Sequence, residues 1–261
     1  MAPEELERGL QAWREAVLND PSARWDSPRD LSYWARVAER YEAARAPLPR
    51  TLRALRAYLR PDWTLLDAGA GTGRFTRPLA DAVRHVTALD YSSAMLEVLG
   101  RNCPPNVTCH LGHFQDATVP PHDVVLCAWA LYRSLDLRAD VQALWRRTRQ
   151  RLLILEDNGT AAPHVAWRRG PSRLPFARTD LIAGVLRACT PNVEVVQVQE
   201  ERAQAFADPA DLLAFARVPA EQREAFLSAL SPYLTWTPQG LQYTYTSTVT
   251  LVTAQRTEPP A

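Results

Sequence analysis

Sixteen residues, LLDAGAGTGRFTRPLA from Leu65 to Ala80, constrain this chain more than any other stretch. They pass from a greasy run through three glycines at alternate positions, Gly69, Gly71 and Gly73, into an amphipathic segment. An aspartate, Asp67, stands two residues before the first glycine. This is the pattern of a buried strand turning sharply into a helix. One glycine would serve a tight turn that needs positive φ. Three leave the backbone bare enough for a ligand to lie against it, with the free N–H groups of a helix N-terminus pointing at that ligand. A nucleotide-type ligand at the carboxyl end of the first strand is the expectation.

The chain upstream reads as helices. Leu6, Leu10, Trp13 and Val17 have helical spacing. SPRDLSYWARVAERYEAAR offers Ser27 as an N-cap and Pro28 at the first helical position, and LPRTLRALRAYLR runs up to Pro61. Strands and helices then alternate: strands at 63–69, 85–90, 107–112, 122–129 and 152–157, helices at 74–83, 93–102 and 138–151. Residues 158–178, rich in Pro and Arg, read as a loop or insertion. A helix capped by Thr179, a strand at 193–201, two helices within 209–234 and a strand at 243–256 follow, and 257–261 reads as a frayed tail. Continuous apolar strands alternating with helices indicate a parallel sheet covered on both faces.

Composition narrows the function classes. Of 261 residues 46% are hydrophobic, enough for one sizeable core. A net charge of +1 gives no electrostatic case for nucleic acid or an anionic membrane, so neither is expected as a partner. All 30 basic residues are arginine, which looks like the product of a GC-rich bacterial genome. The four cysteines, Cys103, Cys109, Cys127 and Cys189, have no CxxC spacing, and neither a disulfide framework nor a metal site is expected. No apolar run reaches the roughly 20 residues of a membrane span, and the acidic start MAPEELERGL lacks a hydrophobic signal region. A cytoplasmic setting is the expectation.

The glycine spacing is GxGxG rather than the GxGxxG of dinucleotide sites, and Asp67 stands in DxGxG register. A carboxylate there would repel a pyrophosphate and welcome an ammonium group, so a nucleoside carrying an α-amino acid fits better. Asp90, 17 residues after Gly73, stands where an acid accepts both ribose hydroxyls, though it could equally cap the next helix. Tyr91 and Met95 follow, the latter placed either against a flat base or in the core.

In this combination the chain resembles the class I S-adenosylmethionine-dependent methyltransferases. LLDAGAGTGRFTRPLA is similar to the family's first motif, VTALDYSSAML to its second-strand motif, DVVLCAWALYR to the motif at the fourth strand, and QGLQYTYTSTVTLVTAQR to its closing antiparallel strand. The resemblance implies a Rossmann-like, doubly wound α/β fold: a mostly parallel seven-stranded sheet with an antiparallel last strand. It also implies an N-terminal helical lid (1–48) and a cofactor domain (49–256) with a helical insertion near 202–240. S-adenosyl-L-methionine is the implied cofactor. The backbone of Ala68, Gly69, Gly71 and Gly73 would hold its methionine part, with Asp67 near the amino group, Asp90 on the ribose and Tyr91 and Met95 at the adenine. Ala128 and Trp129 would lie beside it, and Tyr41 would close over the methionine end. Many members place an Asp after the third strand on the adenine; here that position is His113, with the Phe114 backbone or Asp116 as substitutes.

A methyl donor carries its own reactivity, so the protein needs chiefly to align and desolvate the nucleophile. Candidate groups for acceptor contact or proton removal are Tyr132 after the fourth strand, Glu156 at the end of the fifth, and His164 in the Pro/Arg-rich segment. The helices at both ends would cover the open edge of the sheet, which favours an enclosed small-molecule acceptor. A non-catalytic adenosyl-binding protein and an NAD-dependent oxidoreductase are the alternatives.

Overall fold

The computed structural model describes residues 1–19, 28–43, 48–115, 118–157, 162–169 and 176–257. Ser27, Asp116 and the tail beyond Thr257 lie outside the described residues. The centre is a sheet in the order β3-β2-β1-β4-β5-β8-β6. The first five are β1 (Thr64–Ala68), β2 (His85–Asp90), β3 (Val107–Leu111), β4 (His122–Ala128) and β5 (Thr148–Glu156), all parallel. The last three are β6 (Val193–Phe206), β7 (Leu234–Thr237) and β8 (Gly240–Gln255). β8 runs antiparallel to β5, β6 and β7. From β1 the chain winds outward through β2 and β3, then returns to β4 on the other side. That reversal opens a crevice at the carboxyl ends of β1 and β4, where a doubly wound sheet binds ligands.

Helices cover both faces. One face packs on α1 (Pro3–Asn19), α6 (Leu137–Arg146) and α8 (Arg178–Arg187) through Trp13, Val141, Leu144 and Leu181. Trp13 also donates its indole N–H to the Ser134 carbonyl at 2.8 Å. The other face packs on α3 (Pro49–Arg56), α4 (Thr76–Leu79) and α5 (Ser93–Gly100) through Leu55, Phe75, Leu79 and Leu99. α2 (Pro28–Ala43) lies on α5, where Ala38 and Trp34 meet Met95 and Val98.

The differences from expectation have local causes. Among the described residues the sheet has eight strands rather than seven, because β7 forms a hairpin with the first residues of β8. β6 and β8 pair from Val193↔Ala254 to Phe206↔Leu241, far past the end of β5. Together they make a long ribbon, so strand occupies 202–206 and 234–237, within the stretch expected to be a helical insertion. α7 (Pro163–Arg169) forms in the segment expected to be loop. Its Trp167 sits edge-on to Phe226 of α10 (Arg223–Leu230), ring centroids 5.1 Å apart. With α9 (Pro209–Ala216) these helices build a satellite core on the ribbon, around Phe206, Leu212, Leu241 and Tyr243. Burying aromatic area outweighs the Pro/Arg composition.

Three helix boundaries also shift. α4 is four residues plus a 3₁₀ turn at Ala80–Ala82, because Pro78 has no N–H to continue the ladder. α6 stops at Arg146, with Thr148 Oγ1 donating to the Leu144 carbonyl at 2.9 Å, and the strand begins four residues early by pairing with β4. Thr179 is not the cap of α8; the cap position is Ala177, and Thr179 is buried in the first turn.

α3 begins without a side-chain cap of its own. Glu200, buried on β6, reaches across and accepts the Thr51 N–H and hydroxyl at 2.7 Å each and the Arg50 N–H at 3.3 Å. A carboxylate at a helix N-terminus satisfies orphan donors and complements the macrodipole. Glu200→Ala is expected to reduce unfolding free energy by about 1–3 kcal/mol, the cost of stranding buried donors. Urea denaturation measures it, and a loss under about 0.5 kcal/mol would show that water replaces the carboxylate there.

Candidate functional site

The crevice above β1 and β4 holds a solvent-open pocket of about 840 Å³. Its floor is the glycine loop. Gly69 and Ala70 donate N–H groups to the Leu89 carbonyl at 2.7 and 3.0 Å, which folds the loop over the end of β2. Gly69, Gly71 and Gly73 all have positive φ. A side chain on Gly69 would strike Ala130, whereas one on Gly71 would meet nothing within 4 Å. Gly71 lines the pocket, so its missing side chain keeps that space open.

Two carboxylates face this floor. Asp67, 2% exposed, ends β1 and accepts the Thr76 hydroxyl at 2.6 Å. Burial lifts its carboxyl to about 6; the Thr76 bond opposes the shift and the nearby Asp90 adds to it. Asp90, 7% exposed, ends β2 and accepts the Gly71 N–H at 2.8 Å and the Ser92 N–H at 2.9 Å, one on each oxygen. Burial raises it, while those two N–H groups pull it back down. Each Asp90 oxygen keeps a lone pair for a ligand hydroxyl. The helix-capping alternative for Asp90 is met instead by Ser92, whose Oγ accepts from Met95 N–H.

The pocket gathers most of the expected cofactor residues. Besides the glycines and acids, Tyr91, Met95 and Phe114 line one end. Ala128, Trp129 and Tyr41 line the other sides. Ala68 and Gly73 do not line it. Ala68 is buried within β1, and Gly73 is bare because a Cβ there would lie 2.3 Å from Leu99 of α5. His113 stacks on Tyr91, centroids 5.6 Å apart, and faces an adjoining cleft with Gln115 and Asp140.

The three catalytic candidates separate. Tyr132 lines the pocket, and burial raises its phenol, so at neutral pH it is a donor rather than a base. Glu156 and His164 are not among the pocket-lining residues. His164 N–H donates to the Tyr243 hydroxyl at 3.3 Å, and that hydroxyl lies 3.1 Å from Nδ1. Burial lowers His164 to about 4. Glu156, 1% exposed, lies 3.6 Å from Arg178, and its Oε1 has no hydrogen-bond partner among the described residues.

Sequence reading missed Thr72, Arg74, Phe75 and Arg133, which also line the pocket. The Arg74 guanidinium lies 5.9 Å from the Trp129 ring, and Arg133 lies over Trp34 of α2 at 4.9 Å and over Tyr132 at 5.1 Å. Trp129 itself holds φ at +50°, a left-handed conformation at the end of β4 that turns its ring onto Phe75, centroids 5.7 Å apart. The only available signal was position: Thr72, Arg74 and Phe75 sit inside the first motif, and Arg133 ends the DVVLCAWALYR motif.

Residues 65–152, the span that supplies nearly all of this pocket, match the family model described as a methyltransferase domain. That span is similar to a methyltransferase domain. Solved methyltransferase-like structures share the fold. The YcgJ protein from Bacillus subtilis is 15% identical, with a TM-score of 0.55 over 80% of this chain and 98% of that one. A proposed type II methyltransferase from Anaeromyxobacter dehalogenans is 19% identical, with a TM-score of 0.55 over 81% and 97%. A proposed methyltransferase from Bacillus halodurans is 15% identical, with a TM-score of 0.54 over 80% and 98%. No curated protein matches. No described helix is long and apolar enough to cross a membrane.

Burial lifts Glu156 from its ordinary 4.5 to about 7, with Arg178 opposing. Between those values the folded protein holds a proton that the unfolded chain has released, so stability from this group is full at low pH and falls as pH rises through the window. The expected fall is on the order of 3 kcal/mol. Glu156→Gln removes it, so the variant should gain on the parent between pH 4.5 and 8 in urea denaturation. A parent–variant difference that does not change with pH would show the carboxyl ionised throughout.

Proposed function

We propose that the protein transfers the methyl group of S-adenosyl-L-methionine to a small-molecule acceptor by in-line displacement. The carrying observation is that two buried carboxylates from neighbouring strand ends, Asp67 and Asp90, face one pocket across a glycine loop that a side chain would fill. On the glycine loop a pyrophosphate would meet two acids, with Arg74 and Arg133 elsewhere in the lining, whereas an ammonium and a ribose diol would each find a carboxylate. Two buried polar atoms in the lining, Thr72 Oγ1 and Trp129 Nε1, have no partner among the described residues and suit a polar ligand.

When bound, S-adenosylmethionine supplies an electrophilic methyl on a sulfonium. The chain's part is to hold and to dry. Asp67 takes the ammonium, and Asp90 takes the ribose hydroxyls while still pinning Gly71. Tyr91, Met95 and Phe114 flank the adenine. Trp34 and Tyr41 of α2 line the pocket beside Arg133 and keep water from its mouth. With Tyr132 protonated and His164 tied to Tyr243, no strong base faces the pocket from either, which favours catalysis by proximity and desolvation. A cytoplasmic setting, the absence of a nucleic-acid partner and the division into a lid and a cofactor domain belong to the same proposal.

Calorimetry with S-adenosylmethionine, S-adenosylhomocysteine and NAD tests the cofactor. The adenosyl ligands should bind and NAD should not. Gly71→Val should abolish binding, and Asp90→Ala should weaken it at least tenfold, because charge-assisted bonds are worth roughly 1.5–3 kcal/mol each. Tight NAD binding alone would overturn the reading.

Asp67 gives the binding a pH dependence. Its ordinary value of 3.8 is raised to about 6, and an ammonium binds only the ionised form. Affinity for S-adenosylhomocysteine should therefore rise about tenfold from pH 5 to pH 7, with proton release near pH 6. Asp67→Asn should bind weakly and without this dependence; a pH-independent wild type would remove Asp67 from the ammonium.

A further inference from the structure

A second cleft, of about 700 Å³, opens at the other end of the sheet from the cofactor pocket. Its walls are the turn after α3 with Tyr58 and Arg60, Trp63 just before β1, Arg151 near the start of β5 and Gln255 at the end of β8. These are the amino ends of β1 and β5, whereas the cofactor pocket sits at the carboxyl ends of β1 and β4, and the two share no lining residue.

Two guanidinium groups line this cleft, each laid over an aromatic ring. Arg60 lies over Trp63 at 4.7 Å, and Arg151 lies over Tyr58 at 4.8 Å. Both rings pack against the core that holds Leu55 and Leu65, which fixes the platforms under the cations. Arg151 also donates to Thr253 Oγ1 at 3.2 Å and to Gln255 Oε1, both neutral acceptors. Those two bonds leave three of its five N–H donors for another partner. Arg60 makes no hydrogen bond or ion pair through its side chain among the described residues. No carboxylate lines the cleft, and Asp62, the nearest acid in the sequence, forms no ion pair among the described residues. The last carbonyls of α3 are occupied as well, Arg53 by the Ala57 N–H, Leu55 by that of Tyr58 and Arg56 by that of Leu59. Two cations in one cleft without a counter-charge are stabilised when an oxyanion joins them, and a guanidinium stacked on a ring keeps its planar N–H edge directed for that bond.

We propose that this cleft is a second binding site, which takes the carboxylate or phosphate group of a small molecule on Arg60 and Arg151. Gln150 and Gln255 add neutral amide donors to its lining, and Ala57 and Leu59 give an apolar wall for the rest of the molecule. A cleft of this size matches the range that holds small organic ligands. Its ligand is neither the methyl donor nor the acceptor, and binds alongside them at the opposite end of the sheet. The inference stands independently of the S-adenosylmethionine reading.

The test is calorimetry on the full-length protein at constant ionic strength, with benzoate, phenyl phosphate and the neutral benzyl alcohol. At least one anion should bind one to one and about tenfold tighter than the alcohol, and the tighter of the two tells carboxylate from phosphate. Arg60→Gln and Arg151→Gln should each weaken that anion about fivefold or more, while Arg151→Lys, which keeps the charge without the planar fork, should weaken it less than Arg151→Gln. Urea denaturation of each variant shows that it is folded. Arg56→Gln, which removes an exposed arginine paired with Asp81 outside the cleft, should leave the affinity unchanged. Saturating S-adenosylhomocysteine should leave it unchanged too. Benzyl alcohol binding as tightly as both anions, unchanged affinity in the two glutamine variants, or an equal loss in Arg56→Gln overturns the proposal. So does competition with S-adenosylhomocysteine, which would move the anion into the cofactor pocket. A protein that binds the anion but not S-adenosylhomocysteine keeps this site and loses only the cofactor reading.

Discussion

One carboxylate joins the parts of this site. Asp90 ends β2, yet it holds the N–H of Gly71 in the loop after β1 and the N–H of Ser92 at the start of α5. Charge-assisted bonds of this kind are each worth roughly 1.5–3 kcal/mol. They fix a stretch of glycines that would otherwise be the most mobile part of the chain. Once the loop is fixed, Gly73 can press against Leu99, α5 can seat on the sheet, and α2 can seat on α5. The wall that α2 contributes to the pocket thus depends, through three packed layers, on the loop that the carboxylate holds.

The same acids show how burial and chemistry trade against each other. Asp67 and Asp90 are nearly sealed from water, and the charge of Asp90 adds to the burial that raises Asp67, which costs stability in the empty protein. Strain at Trp129 adds to that cost, since a bulky residue with φ of +50° occupies a sparsely allowed region. Both features sit around one pocket, where such departures concentrate.

The sheet and the cofactor end of the site were legible because they are local. The strand–glycine–helix turn, the acid ending β2 and the aromatic after β4 each announce themselves within a few residues. What was not legible is what depends on distant partners. Glu200 caps a helix 150 residues upstream, and nothing near Pro49 signals it. Trp167 makes α7 a helix by meeting Phe226, against a Pro- and Arg-rich composition. His164 looked like a base because it is an imidazole in a polar segment; only its contact with Tyr243 reveals that Nδ1 is engaged. The strands of the ribbon were expected but cut short, because their far halves pair with each other and not with the main sheet.

The ribbon carries its own satellite core of Phe206, Leu212, Phe226 and Tyr243, joined to the main body through the continuation of β6 and β8. Two cores of this kind tolerate mutation separately, because substitutions far apart and without shared partners combine additively. Changes among the satellite helices can therefore leave the glycine loop and its pocket intact.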